Sequence, residues 1–130
     1  MSKILLDFRR IIGKALLTMK RATTQFLDEL QSLGALADGD ISEIIGVSTV
    51  FLDAWRTGTA KPSPIRHAML CDLRDIVVEL AEMYEPAEVR QWLYAEQPLL
   101  SGARPVDVVR AKRAYEVQRI ISEAAAGRAS

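Results

Sequence analysis

The spacing of apolar residues is the feature that most constrains how this chain can fold. Along most of the sequence the apolar residues recur at intervals of three and four, which places them on one face of an α-helix. Nowhere does the sequence show the apolar–polar alternation of a half-buried strand. We therefore predict an all-α helical bundle. Since 49% of its 130 residues are apolar, the chain can bury a core of its own.

Composition excludes several classes of protein. A single cysteine and a single histidine provide neither an intrachain disulfide nor a thiolate metal cluster. With 17 basic and 17 acidic residues, the chain lacks the basic bias typical of a dedicated nucleic-acid-binding protein. No apolar run reaches the roughly 18–20 residues of a membrane span, and the charged N-terminus does not resemble a signal peptide. We expect a cytoplasmic protein with no metal, cofactor or membrane.

The first of three predicted segments is an amphipathic N-terminal helix over residues 1–22. Its apolar residues fall on one helical face, and basic residues lie opposite them. This pattern fits a core helix, a dimerisation helix or a basic surface helix that contacts lipid or phosphate. The apolar residues are Ile4, Leu5, Phe8, Ile11, Ile12, Ala15, Leu16 and Met19.

The second segment, residues 23–84, begins with a helix that Thr23 or Thr24 is predicted to cap. Gly34 would end that helix in the left-handed conformation. A long helix is predicted from Ile65 to Tyr84. Its predicted inward-facing residues are Ala68, Met69, Leu73, Ile76, Val77 and Leu80.

Between these helices, residues 40–55 have the spacing of a helix-turn-helix. Asp38 or Asp40 is predicted to cap a short helix, Gly46 to form the turn and Ser48 to cap the second helix. The second helix is predicted to face the core with Phe51, Leu52 and Trp55. The stretch from Trp55 through Pro62 resembles the end of the recognition helix in the Xre family of repressors, and this resemblance covers roughly residues 24–80.

The outer face of the predicted recognition helix is poor in groups that read bases. A helix in the major groove typically presents Arg, Lys, Asn or Gln, whereas Asp53 here would repel phosphates. Two interpretations stay open: contact with operator DNA, or a motif that serves only for packing. The candidate DNA-binding residues are Thr49, Val50, Arg56 and Lys61.

The third segment, residues 85–130, has a helix starting at Pro86, a loop from Gln97 to Arg104, a short helix starting at Pro105 and a final helix over about residues 113–126. The chain is predicted to fray into a flexible tail from Gly127. This order resembles the toxin-binding domain of the Xre/MbcA/ParS antitoxins. The matching residues are Trp92, Pro98, Leu99, Leu100, Gly102, Pro105, Val109 and the helix around residues 117–121.

Together with the helix-turn-helix, this resemblance spans about four-fifths of the chain. It implies a cognate RES-domain toxin that destroys NAD, and an antitoxin whose C-terminal region covers the entrance to the toxin's active site. It also suggests repression of the antitoxin's own operon. The alternative is a stand-alone Xre-like regulator whose C-terminal domain only dimerises. A homo-oligomer is expected in either case.

Seven residues are candidates for toxin binding. The two adjacent leucines either pin the loop onto Trp92 or face a partner, and the basic residues form either a partner surface or a solvated face balanced by Glu116 and Glu123. The candidates are Leu99, Leu100, Arg104, Arg113, Arg119, Glu123 and Arg128.

An enzyme is not expected. His67 and Cys71 lie on one face of one helix and could touch, but no phosphate loop or metal-ligand spacing accompanies them. Cys71 is therefore predicted to be a core residue. The acidic residues of the same helix are predicted to face water, and they are Asp72, Asp75, Glu79 and Glu82.

Overall fold

The computed structural model of the protein describes residues 22–129. The predicted amphipathic helix of residues 1–22 thus lies outside the described residues except for its last position. Every regular element in the described part is helical, which confirms the all-α prediction. The elements are α1 (22–34), α2 (Asp38–Ile45), α3 (Thr49–Thr57), α4 (Pro64–Ala81), α5 (Pro86–Tyr94), a 3₁₀ turn (Pro98–Leu100), α6 (Pro105–Arg110) and α7 (Ala114–Ala129).

One continuous core joins the predicted second and third segments. Helix α4 packs against α2, α5, α6 and α7, while α6 fills the space between α2 and α7. Branched and straight aliphatic side chains fill this core, as the apolar periodicity requires. No helix within residues 22–129 is long and apolar enough to cross a membrane. Among the most completely buried side chains are Leu27, Leu30, Ile41, Ile44, Leu52, Leu70, Leu73, Ile76, Leu80 and Leu93.

The predicted N-cap of α1 and the predicted conformation of Gly34 are wrong. Residue 22 is already helical, so Thr23 and Thr24 lie inside the helix and do not cap it. Gly34 also stays helical, and Ala35, with φ of 51°, takes the left-handed conformation instead. A Cβ on Gly34 would lie 3.2 Å from Cγ1 of Val77. Gly34 therefore lies where α1 approaches α4 closely, and it does not end the helix.

The N-cap of α2 lies one residue before Asp38, the first of the two predicted caps. The N-cap is Ala37, so the prediction that Asp38 or Asp40 caps this helix is wrong. Asp40 lies in the first turn and accepts a hydrogen bond of 2.9 Å from the Ala37 N–H, as an acid at the third helical position commonly does. Ser48 occupies the N-cap position of α3 as predicted, but its side chain forms no capping hydrogen bond.

The turn between α2 and α3 depends on Gly46. This residue has φ of 81°, and its N–H bonds to the carbonyl of Ser42 at 2.8 Å. The Arg66 guanidinium covers the turn and donates to the Ile45 carbonyl. A Cβ on Gly46 would lie only 2.9 Å from Nη1 of Arg66.

Replacement of Gly46 is therefore expected to destabilise the protein more than replacement of a glycine that has the same left-handed backbone conformation but open space where a Cβ would lie. We expect Gly46→Ala to lower the free energy of unfolding by about 2–3 kcal/mol, because left-handed strain adds to the loss of the Arg66–Ile45 hydrogen bond when the guanidinium moves aside. Gly102, with φ of 84° and no atom near its missing Cβ, is the matched control, and Gly102→Ala should cost about 1 kcal/mol. Urea denaturation measures both, and equal losses would contradict this account.

Two side chains predicted to face the core face solvent. Phe51 is 53% exposed, and Ala68 is also exposed. On α3, Leu52 and Trp55 define the buried side, and Phe51 lies one residue, or about 100°, away from Leu52. An apolar residue at the edge of a stripe thus cannot be assigned by periodicity alone. The final helix also continues to Ala129, past its predicted end at residue 126.

Candidate functional site

The loop between α5 and α6 has a fixed backbone. The Gln97 carbonyl accepts hydrogen bonds of 3.0 Å from the N–H groups of Leu100 and Gly102, and the Gln97 N–H donates to the Ala103 carbonyl at 3.1 Å. The Gln97 side chain also donates to the Trp92 carbonyl at 3.2 Å. The loop therefore holds its shape before any partner binds.

This geometry separates the two leucines that the sequence treated as a pair. Leu100 is 9% exposed and joins the core, whereas Leu99 is 67% exposed. Neighbouring residues of a 3₁₀ turn point in directions about 120° apart, so one leucine anchors the loop and the other faces outward. Leu100 is thus buried, as the packing interpretation expects, whereas a partner contact by Leu99 stays a prediction.

Four of the candidate toxin-binding residues line one cleft of about 380 Å³ between the loop and α7. Arg113 and Arg119 lie on its helical side with Glu116, whose carboxylate is 3.7 Å from Arg113. No carboxylate of the described residues pairs with Arg119. The cleft thus combines an exposed leucine with an excess of positive charge. Its lining is Leu99, Leu100, Ser101, Ala103, Arg113, Glu116 and Arg119.

Of the remaining candidates, Glu123 extends this surface and Arg104 does not line the cleft. Glu123 is exposed and lies four residues after Arg119, so both are on the same face of α7. Arg104 forms two hydrogen bonds to Asp107, of 2.8 and 3.0 Å, and its guanidinium lies 5.6 Å from the centre of the Tyr94 ring. The side chain of Arg128 lies outside the described part of the chain.

Tyr115 was not among the candidates, yet it belongs to this surface. It precedes Arg119 by four residues, so Tyr115, Arg119 and Glu123 form one exposed stripe on α7. Tyrosine counts as apolar in sequence patterns, yet Tyr115 is 66% exposed. The signal that could have identified it is the four-residue spacing that links Tyr115 to the charged residues Arg119 and Glu123.

A polar cluster connects α2 to α5. Asp40 accepts hydrogen bonds from both Arg90 Nη1 and Nη2, the second at 3.2 Å, and from the Tyr94 hydroxyl at 3.1 Å. The hydrogen bond from Arg90 holds the pKa of Asp40 below its ordinary value, while burial and the nearby Asp40 raise the pKa of Tyr94 to about 12. On the adjacent surface, Arg110 pairs with Glu43 at 2.7 Å. These contacts fix the C-terminal helices against α2.

Two acidic residues of α4 have raised pKa values, in contrast to the lowered pKa of Asp40. Burial is the largest cause that raises the pKa values of Asp72 and Glu79, and the carboxylate of Asp75 adds to the shift in both. The prediction that these residues simply face water is therefore wrong for Asp72 and Glu79, which are half-buried.

These two groups of carboxyls predict a stability maximum at mildly acidic pH. Below neutrality, the folded protein takes up protons at Asp72 and Glu79 before the unfolded chain does, so stability rises until the pH passes the unfolded values of about 4. Asp40 has a lowered folded pKa, so its contribution persists above about pH 4 and is lost as the pH falls through that lowered value.

Urea denaturation across pH 3–8 tests this expectation. The free energy of unfolding should increase as the pH falls from neutrality towards the unfolded pKa values of about 4, and fall at more acidic pH. In the control Asp72→Asn with Glu79→Gln, the increase should disappear while the acidic loss is retained. A maximum at neutral pH in the unsubstituted protein would contradict the assignment.

The outer face of α3 holds the candidate DNA contacts. Thr49, Val50 and Lys61 are exposed. Arg56, however, forms two hydrogen bonds to Asp38, of 2.6 and 2.7 Å, and lies 3.6 Å from Asp53. Its guanidinium is thus neutralised within the protein, and the face around it combines apolar and acidic groups.

The surroundings of Cys71 disfavour the thiolate form of its side chain. The Cys71 Sγ lies 3.6 Å from His67 Nε2. Burial, with smaller effects of Asp75 and Asp72, raises the pKa of the thiol, so it stays protonated at neutral pH. Within residues 22–129, no group of three or more His, Cys, Asp or Glu side chains is arranged to hold a metal ion.

Comparison with known proteins decides the family. The chain matches no protein-family model. The probable mycobacterial cidal antitoxin of Mycobacterium tuberculosis is 38% identical to it over 108 residues, which cover 82% of this chain and 90% of that relative. The chain belongs to the mycobacterial cidal antitoxin (MbcA) family. The predicted resemblance to antitoxins is thereby confirmed.

The fold of this MbcA-family protein also has a solved counterpart. A chain in the crystal structure of the Mycobacterium tuberculosis MbcT–MbcA toxin–antitoxin complex matches it with a TM-score of 0.72 and 23% identity, over 82% of this chain and 95% of the other. At that identity the match shows similarity of fold alone, and it agrees with the all-α architecture.

Proposed function

We propose that this protein neutralises a cognate RES-domain toxin that degrades NAD, by covering the entrance to the toxin's active site with its C-terminal region. The observation that carries the proposal is the cleft between the α5–α6 loop and α7, where Leu99, Arg113 and Arg119 come together. Family membership supports an antitoxin role. The RES class of the toxin rests on the resemblance noted in the sequence.

The chemistry of the cleft suits a protein partner. Binding energy at protein interfaces concentrates in aromatic and arginine side chains around an apolar centre. Tyr115, Arg119 and Leu99 supply these three kinds of group on adjoining surfaces. Because hydrogen bonds already fix the loop, little conformational entropy would be lost on binding.

The position of the cleft favours inhibition at an active site. Helix α7 continues from the cleft through Glu123 to Ala129, so a toxin that docks on the cleft also meets this end of the chain. We propose that residues from Glu123 onward, including Arg128, cover the toxin's opening. The division at residue 85 into a toxin-binding region and a preceding helical region is part of this proposal.

Co-expression with the product of the adjacent gene tests the function. The neighbour should co-purify with this protein, and expression of the neighbour alone should lower cellular NAD and stop growth. Co-expression should restore both. Failure of the neighbour to co-purify, together with a salt-dependent shift of this protein's own promoter fragment, would favour the alternative of a stand-alone regulator.

Repression of the operon through α3 stays a prediction. Of the basic candidates there, Lys61 is exposed but Arg56 is paired with Asp38. Since phosphate contacts by Lys and Arg dominate affinity for DNA, this face supports a protein contact better than a DNA contact. Homo-oligomerisation likewise stays a prediction.

A further inference from the structure

The large apolar side chains that are exposed in the described part of the chain fall into two groups. Leu99 lines the cleft, and Tyr115 lies on the exposed stripe of α7 beside it. Val50, at 73% exposure, Phe51 and Ile65, at 56%, lie at the start of α3 and α4. We call the second group the α3–α4 apolar face. Its residues are not needed for toxin binding as proposed above, so they require a separate explanation.

The residues of the α3–α4 apolar face lie at the same end of the molecule. Arg66 donates to the carbonyl of Ile45 and covers Gly46, so the start of α4 packs on the turn that leads into α3. Ile65 precedes Arg66 directly, and Val50 lies in the first turn of α3.

The chain outside the described residues joins the protein at this end. The ring of Phe26 lies 6.1 Å from that of His67, between ring centres. Residue 22 is about one turn before Phe26 on α1, and Ile65 is two residues before His67 on α4. Residues 1–21 therefore connect to the body near Ile65.

The sequence of residues 1–21 has what is needed to cover such a face. Eight of its apolar residues share one helical face, which must be buried against something if the segment is helical. As a helix the segment would be about 31 Å long, longer than α3. It has six basic residues and one acidic residue, a net charge of +5; because the whole chain is formally neutral, residues 22–130 carry −5.

We propose that residues 1–21 fold back as an amphipathic helix whose apolar stripe packs on the α3–α4 apolar face. Lys20 and Arg21 follow the last apolar residue, Met19, and two to five residues are enough to connect antiparallel helices. A covalently attached segment acts at an effective concentration in the millimolar range, so the chain's own segment is favoured over a second copy. The opposite net charges strengthen this attraction.

Disulfide trapping in the full chain tests the proposal. Cys71→Ser removes the native thiol, and Thr49→Cys places an anchor beside the apolar face without altering it. A second cysteine is then introduced at Leu5, Phe8, Ile12 or Leu16 on the stripe, one position per protein. Under mild oxidation of dilute protein, at least one stripe position should form an intramolecular disulfide with a yield about tenfold above the controls.

The matched controls place the second cysteine at Arg10 or Lys14, on the opposite face of the segment. Phe51→Asp should reduce trapping at the best stripe position to the level of these controls. Equal trapping on both faces, no trapping at any position, or disulfides that mainly join two copies would each overturn the proposal. None of these outcomes depends on a toxin, so the result is independent of the proposed function.

Discussion

Arg119→Glu is expected to weaken binding of the cognate toxin by about a hundredfold, because arginine side chains in the middle of an interface commonly contribute 2 kcal/mol or more. Arg119 lines the cleft on the same face of α7 as Tyr115 and Glu123. A reversed charge would both remove the contact and repel the group that it met. Titration calorimetry with the purified toxin measures the change in Kd.

The fold should be unaffected by this substitution. Arg119 is exposed, and no carboxylate of the described residues pairs with it, so the free energy of unfolding should change by less than about 0.5 kcal/mol. Lys61→Glu is the matched control, since it makes the same charge reversal at an exposed residue remote in sequence. Equal weakening by both variants would indicate a general electrostatic effect and would refute a specific role for the cleft.

Asp40→Ala is expected to destabilise the protein by about 3 kcal/mol, because it leaves several donors without an acceptor at a half-buried site. The Asp40 carboxylate accepts from the Ala37 N–H, the Arg90 guanidinium and the Tyr94 hydroxyl. The helix end and the contact between α2 and α5 are therefore lost together. Urea denaturation gives the size of the loss.

Two further variants separate these contributions. Tyr94→Phe removes one donor and should cost about 1 kcal/mol. Asp107→Ala breaks the ion pair between Asp107 and Arg104. Because both side chains are more than two-fifths exposed, the free energy of unfolding should fall by less than about 1 kcal/mol. A loss from Asp40→Ala no larger than that from Asp107→Ala would contradict the role of the cluster.

Helix positions followed closely from the sequence where local signals decide them. Pro86 and Pro105 begin α5 and α6 as predicted, because proline suits the first turn of a helix. Gly46 forms its turn because the left-handed conformation strongly favours glycine. Gly34 carries the same local signal, yet its role depends on Val77, more than forty residues away.

The sequence identified most residues of the candidate site but not how they are arranged in space. The loop and α7 were both identified, and Leu99, Arg113 and Arg119 meet at one cleft. Whether Leu99 or Leu100 faced outward depended on hydrogen bonds to Gln97. The contact of Asp40 with Arg90 joins residues fifty positions apart, which no spacing rule detects.

Hydrogen–deuterium exchange on the complex with the cognate toxin tests the central claim most directly. We predict that toxin binding slows exchange in residues 98–104 and 113–123, which form the cleft and the exposed stripe of α7, and leaves residues 49–57 of α3 unchanged. Protection confined to α3, with the cleft exchanging as in the free protein, would contradict the account.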